Sequence, residues 1–224
     1  MEESEAEAVL RRAASVLLGP PDTRFYERLP LVRRALLELP AIPARRALTR
    51  LCDHAATEPE SDLRAHHARV FGARRRTLDV LDHTGGDARP RRRLRARISR
   101  IYADGGWYRA GSERPDHLAV LLEFAARGAP EHGERMLVRL RPGLERLRTA
   151  LADYGTAYSG VLDAVCATLP APERSDAPVG GADGRTARGR AVGGADAAVP
   201  AVPMQARRSE EAAAGPRAAE RTRR

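Results

Sequence analysis

The sequence predicts an all-α protein, with one helical domain of about eight helices over residues 1–170. Apolar residues recur at three- and four-residue steps in nearly every segment before Pro170, and almost never alternate with the period of two that a half-buried strand requires. Gly and Pro punctuate those segments where helices stop and restart. Hydrophobic residues make up 42% of the chain but aromatic ones only 4%, so the core must be built from Leu, Val and Ala.

The first helix spans about Ser4 to Leu18, with Val9, Ala13, Val16 and Leu17 on one stripe, and Gly19-Pro20-Pro21 stops it. Asp22 or Thr23 caps a short helix through Phe25 and Leu29. Pro30 suits the first turn of a helix reaching Leu39, with Leu31, Ala35 and Leu36 or Leu39 inward. Ala44 to Ala56 forms a helix on Leu48, Leu51 and Ala55, and Ser61 caps one holding Leu63, His67, Val70 and Phe71. Residues 72–88 are less regular, with a turn at Gly85-Gly86-Asp87. Arg92 to Ala103 is helical and stops at Gly105-Gly106. Pro115 opens a strongly apolar helix through Ala126, ended by Gly128. Glu131–Leu140, Pro142–Asp153 and Tyr158–Leu169 complete the domain. Beyond it, residues 171–224 are rich in Ala, Gly, Pro and Arg and contain no aromatic residue. Such a stretch cannot bury enough apolar surface to offset its ordering entropy, so it reads as a disordered tail.

The opening MEESEAEA is acidic, the reverse of a secretory signal's basic start. The longest apolar run, Leu118 to Leu122, is far too short to span a bilayer. These features predict a cytoplasmic protein without membrane insertion. Cys52 and Cys166 lack metal-ligand neighbours and read as small buried hydrophobes. The net charge of +9 is spread along the chain: residues 1–170 hold 29 arginines against 23 acids, and residues 171–224 hold ten against seven. No lysine occurs. Such a balance favours solubility over a defined nucleic-acid partner.

Gly85-Gly86 and Gly180-Gly181 lack the residues of a phosphate loop, and neither HExxH nor GxSxG occurs. His66 and His67 are adjacent, so on a helix they point about 100° apart and cannot chelate one metal together. The sequence therefore predicts no catalytic residue, no metal site and no cofactor.

Two segments concentrate polar chemistry. LDHTGGDAR, Leu81 to Arg89, places Asp82, His83, Asp87 and Arg89 around a glycine turn. ERPDHLAVLLEFAA, Glu113 to Ala126, places Asp116 and His117 in a first helical turn, where an acid suits the free amides. On local chemistry alone, Asp116 reads as a capping acid and His117 as a satisfied histidine at the core edge.

Together these segments resemble the NarJ branch of the TorD/DmsD-like redox-enzyme maturation chaperones. The second resembles the branch's E-L-P-D-H-L-P-x-x-L-E-[FY] signature. The first resembles its F-E-H-x-H-G-[ED]-[ST]-R stretch at Asp82, His83, Gly86, Asp87 and Arg89. Ala14 to Asp22, Leu63 to Phe71, Pro142 to Leu147 and Tyr158 to Leu169 resemble further family segments in order, so the likeness covers residues 5–170. The chain departs from the pattern at Pro20, Gly72, Gly85, Arg114 and Ala119.

The resemblance implies a chaperone that performs no chemistry. Its implied partner is the apo catalytic (alpha) subunit of respiratory nitrate reductase, held by its N-terminal segment for molybdenum cofactor insertion before membrane attachment. Asp82, His83, Asp87, Arg89, Asp116 and His117 are the implied client-binding residues, and both monomer and dimer remain open. A chaperone for another molybdoenzyme is the alternative, followed by an Arg-rich nucleic-acid module resting on Arg89, Arg91, Arg92, Arg93, Arg95, Arg97 and Arg100.

Overall fold

Helix α1 (Glu3–Leu17) runs through the middle of the structure because its apolar residues wrap most of its circumference. Leu10, Ala13, Ala14, Val16 and Leu17 are all buried. A helix apolar on so many sides must be covered on many sides. It packs most extensively against α6 (Leu118–Arg127), and also against α2 (Thr23–Leu37), α3 (Pro43–Thr57) and α8 (Ser159–Ala167). The computed structural model describes residues 3–108 and 111–171, all within one compact unit. The predicted tail at 171–224 lies outside the described residues except for Ala171.

Among the described residues, α4 (Glu60–Phe71), α5 (Ala88–Asp104) and α7 (Pro130–Tyr154) complete a set of eight α-helices. Single 3-10 turns occur at Arg74–Arg76 and Val80–His83. The expected all-helical fold is what the structure shows, with different divisions. Pro30 does not open a new helix but lies inside α2, and Pro142 lies inside α7. An interior proline costs about 3 kcal/mol in a helix, and packing outweighs it in both places. In α7, Leu137, Leu140, Leu144, Leu147 and Leu151 form one buried stripe across the proline. In α2 the register set by the Asp22 cap, whose Oδ1 accepts from the Phe25 N–H at 2.9 Å, buries Phe25, Leu29, Val32 and Leu36. That register turns Leu31 outward, 66% exposed, where the sequence places it inside.

Other boundaries shift for local reasons. Helix α4 starts at Glu60 behind Pro59, so Ser61 is not its cap; the Ser61 hydroxyl donates to Asp62 instead. Helix α5 starts at Ala88 rather than Arg92, with Pro90 accommodated in its first turn. Helix α6 starts at Leu118, three residues after Pro115, because residues 116–118 pair with another segment. No helix among the described residues is long and apolar enough to cross a membrane.

Candidate functional site

The two polar segments meet. Residues 78–80 and 116–118 form an isolated antiparallel bridge: the Val80 N–H donates to the Asp116 carbonyl at 3.0 Å, and the Leu118 N–H to the Leu78 carbonyl at 2.8 Å. This pairing keeps Asp116 and His117 out of α6, correcting their expected placement in its first turn. Nor does Asp116 act as a helix cap. It is fully buried, and its Oδ2 accepts from the Leu81 N–H at 3.1 Å.

Arg95 of α5 completes the junction. Its Nε donates to Asp116 Oδ1 at 2.7 Å and its Nη2 to Asp116 Oδ2 at 3.1 Å. The same Nη2 reaches Asp82 Oδ1 at 2.7 Å. One guanidinium thus fastens the turn at Val80–His83 to the start of α6, the forked geometry for which arginine is suited. Arg114 adds a second cation, 3.1 Å from Asp82 Oδ2 and 3.3 Å from Asp79 Oδ2. Burial alone would raise the Asp82 carboxyl, but the Arg95 hydrogen bond and the charges of Arg95 and Arg114 outweigh it and hold Asp82 below its ordinary pKa. Asp79 moves the other way, raised by burial and by the neighbouring Asp116 charge.

His83 turns inward on its own loop, its Nε2 2.7 Å from the Thr77 carbonyl, while its carbonyl accepts from Arg146 Nη1 at 2.6 Å. Asp87 and Arg89 are exposed at the beginning of α5, and among the described residues no ion pair joins them to the Arg95 junction. Among the described residues the structure thus joins Asp82 and Asp116 through Arg95, with His117 beside them on the bridge to Asp79, while His83 bonds to Thr77 and Arg146 and Asp87 and Arg89 stand outside the network.

His117 occupies the wall between two clefts. One, of about 320 Å³, is lined by His67, Phe71, Leu78, Asp79, Glu113, Arg114 and His117. The other, of about 410 Å³, includes Val16, Phe25, Arg24, Arg28, Trp107, Val120, Glu113 and His117. A third groove of about 470 Å³ lies between α1 and α2, lined by Val9, Val16, Leu31, Val32 and Ala35. Among the described residues, His117 Nδ1 is buried without a hydrogen-bond partner. Burial lowers the pKa of His117 against the opposing pull of Asp79, Glu113 and Asp116. Burial also lowers His67, whose Nε2 lies 3.1 Å from the Leu18 carbonyl. The lowering of His66, stacked on Tyr158, has the same leading cause.

These three depressed histidines fix a sign. Each takes up a proton less readily in the fold than in the unfolded chain, so around and below the ordinary pKa of 6.5 the unfolded chain binds more protons. Their stability contribution is complete above that value and declines as pH falls from 6.5 toward the lowered folded values. Urea midpoints should therefore drop between about pH 7.5 and pH 5.5, a window above most carboxylate titration. The double variant His67→Gln/His117→Gln should flatten that slope. An equally steep slope in the double variant would contradict the assignment.

Sequence reasoning missed Arg95, because six other arginines surround it between positions 89 and 100. The available signal was its place on the apolar stripe of α5 with Leu94, Ile98 and Tyr102. It also missed Asp79 and Leu78, which carry the bridge. Among the described residues no group of three or more His, Cys, Asp or Glu is placed to hold a metal ion.

A family model described as nitrate reductase delta subunit matches residues 39–163, from just before α3 into α8 and including both polar segments. The nitrate reductase-like protein NarX of Mycobacterium tuberculosis is 31% identical over 161 residues, 71% of this chain and 24% of NarX. The chain thus spans about a quarter of the length of that relative. The probable nitrate reductase molybdenum cofactor assembly chaperone NarJ of Bacillus subtilis is 24% identical over 158 residues, 70% of this chain and 86% of that protein.

Proposed function

The chain belongs to the nitrate reductase delta subunit family, and from that premise we propose that it is an assembly chaperone, not a catalyst, for a molybdenum-containing nitrate reductase. Its client is the apo catalytic subunit, held by an N-terminal segment while the molybdenum cofactor is inserted and before the enzyme attaches to the membrane. The observation that carries this reading is the pair of clefts meeting at His117, where apolar Phe71, Leu78, Phe25, Trp107 and Val120 stand among charged Asp79, Glu113, Arg114, Arg24 and Arg28. An amphipathic client segment would lay its apolar face against Phe71, Leu78, Phe25 and Val120. Asp79, Glu113 and Arg114 at the edge would set its orientation.

The individual residues divide by role in this proposal. His117 touches the client from the wall between the clefts, and Asp82 and His83 contribute from the adjoining turn. Asp87 and Arg89 are peripheral contacts. Asp116 works through the loop it fastens, since its carboxylate is fully buried and occupied by Arg95 and Leu81.

Affinity capture with the full chain, from cells producing a nitrate reductase catalytic subunit, tests the proposal. Recovery of that subunit in its cofactor-free form is the expected result. Recovery of a different molybdoenzyme subunit instead would move the client to that enzyme, and failure to enrich any molybdoenzyme subunit would refute the chaperone reading.

A further inference from the structure

Helix α5 has an outer face that the cleft does not use. At about 100° per residue, Leu94, Arg95, Ile98 and Tyr102 share the inner side, where Ile98 and Tyr102 are buried. Arg89, Arg92, Arg93, Arg97 and Arg100 are exposed on the opposite side, within an arc of about 140°. Among the described residues none of the five forms an ion pair with an acid. The other exposed residues of that side are Ala96, Ala103 and one acid, Asp104. Neighbours such as Arg89 and Arg93, or Arg93 and Arg97, stand four apart and repel each other along the helix, so the free protein carries uncompensated charge there.

We propose that this face docks on an anionic lipid bilayer, its five arginines lying against the phosphate headgroups. Two observations favour that occupant. The face is the convex side of a single helix of 17 residues, about 25 Å long, and arginine side chains spread over such an arc can all reach a plane. Single-stranded nucleic acid is instead tracked by a charged groove with stacking platforms, which a convex helix side does not provide. A protein partner would need an apolar centre to its interface, and the face offers only two alanines. The apolar side of α5 faces the protein, so the docking is peripheral, reversible and governed by salt. It stands independently of the client.

The test is co-sedimentation of the full chain with vesicles of phosphatidylglycerol in phosphatidylcholine, and with pure phosphatidylcholine. Wild type should sediment with the anionic vesicles alone and be released at about 0.3 M salt. The variant Arg93→Gln/Arg97→Gln/Arg100→Gln should lose binding on the order of 100-fold, about fivefold per arginine. Circular dichroism checks that it keeps its helices. Replacing the same three by lysine should preserve binding, as should the equal charge removal Arg34→Gln/Arg46→Gln/Arg50→Gln on α2 and α3. Absence of anionic-vesicle binding overturns the proposal. So does an unchanged affinity in the α5 glutamine variant, or an equal loss in the α2/α3 variant. Binding to random duplex DNA that needs these arginines, without binding to vesicles, would make the face a nucleic-acid surface instead.

Discussion

Asp116→Ala is expected to lower the unfolding free energy by about 3–5 kcal/mol, the range for removing one partner of a buried ion pair. For a domain whose whole stability is about 5–15 kcal/mol, that is a large fraction. The carboxylate is fully buried and accepts three hydrogen bonds, two from Arg95 and one from the Leu81 N–H. Its loss leaves the Leu81 amide unsatisfied and strips Arg95 of its more buried partner. Arg95→Ala should do comparable damage for the complementary reason, since it strands a buried carboxylate. The double variant should cost much less than the sum of the two, because the second removal deletes the stranded group. Urea unfolding of the four proteins supplies the cycle. Additive losses would mean that Asp116 and Arg95 act separately and that the junction is not a unit.

The second large effect belongs to Gly133→Ala. A Cβ at this position would stand 2.3 Å from the Cα of Ala125 and 2.5 Å from its Cβ. Helices α6 and α7 touch backbone to side-chain position there, and a methyl group fits only if the helices separate. Overpacking of this kind costs about 1–3 kcal/mol and sometimes more, against a gain of about 1 kcal/mol in helix propensity. A net loss of up to about 2 kcal/mol is expected by urea unfolding, and a stabilised variant would contradict the packing. Gly143 poses a milder version of the problem: its Cβ would meet the Val80 carbonyl at 2.7 Å and Val80 Cγ1 at 2.9 Å. A substitution there presses on the turn that carries Asp82 and His83.

The helices were legible where local and tertiary demands agree. The ends of α1 and α3 follow from Gly19-Pro20 and from Pro43, and the stripe Leu48, Leu51, Ala55 is buried as its spacing requires. They were not legible at Pro30 and Pro142, where a strong local stop is overridden by leucines on both sides packing into one core. Asp82, His83, Asp116 and His117 could be singled out from sequence, but not Arg95, Asp79 or Leu78 beside them, nor what Asp116 holds together. Asp116 looks like a capping acid until the bridge between residues 78–80 and 116–118 places it opposite Leu81. Arg95 is indistinguishable from its arginine neighbours until α5 shows which side faces inward. Contacts 21 residues apart, such as Arg95 with Asp116, leave no trace in local spacing.

The account turns on one location for the client, the paired clefts at His117. Calorimetric titration of a peptide from the N-terminus of the nitrate reductase catalytic subunit tests it most directly. Wild type should be compared with Phe71→Ala in the first cleft, Val120→Asp in the second and Leu31→Asp in the groove between α1 and α2. Tenfold or greater weakening is expected for the first two, since losing a hot-spot anchor costs about 2 kcal/mol or more, with Leu31→Asp unchanged. Weakening by Leu31→Asp alone would contradict the account and move the client to the other side of α1.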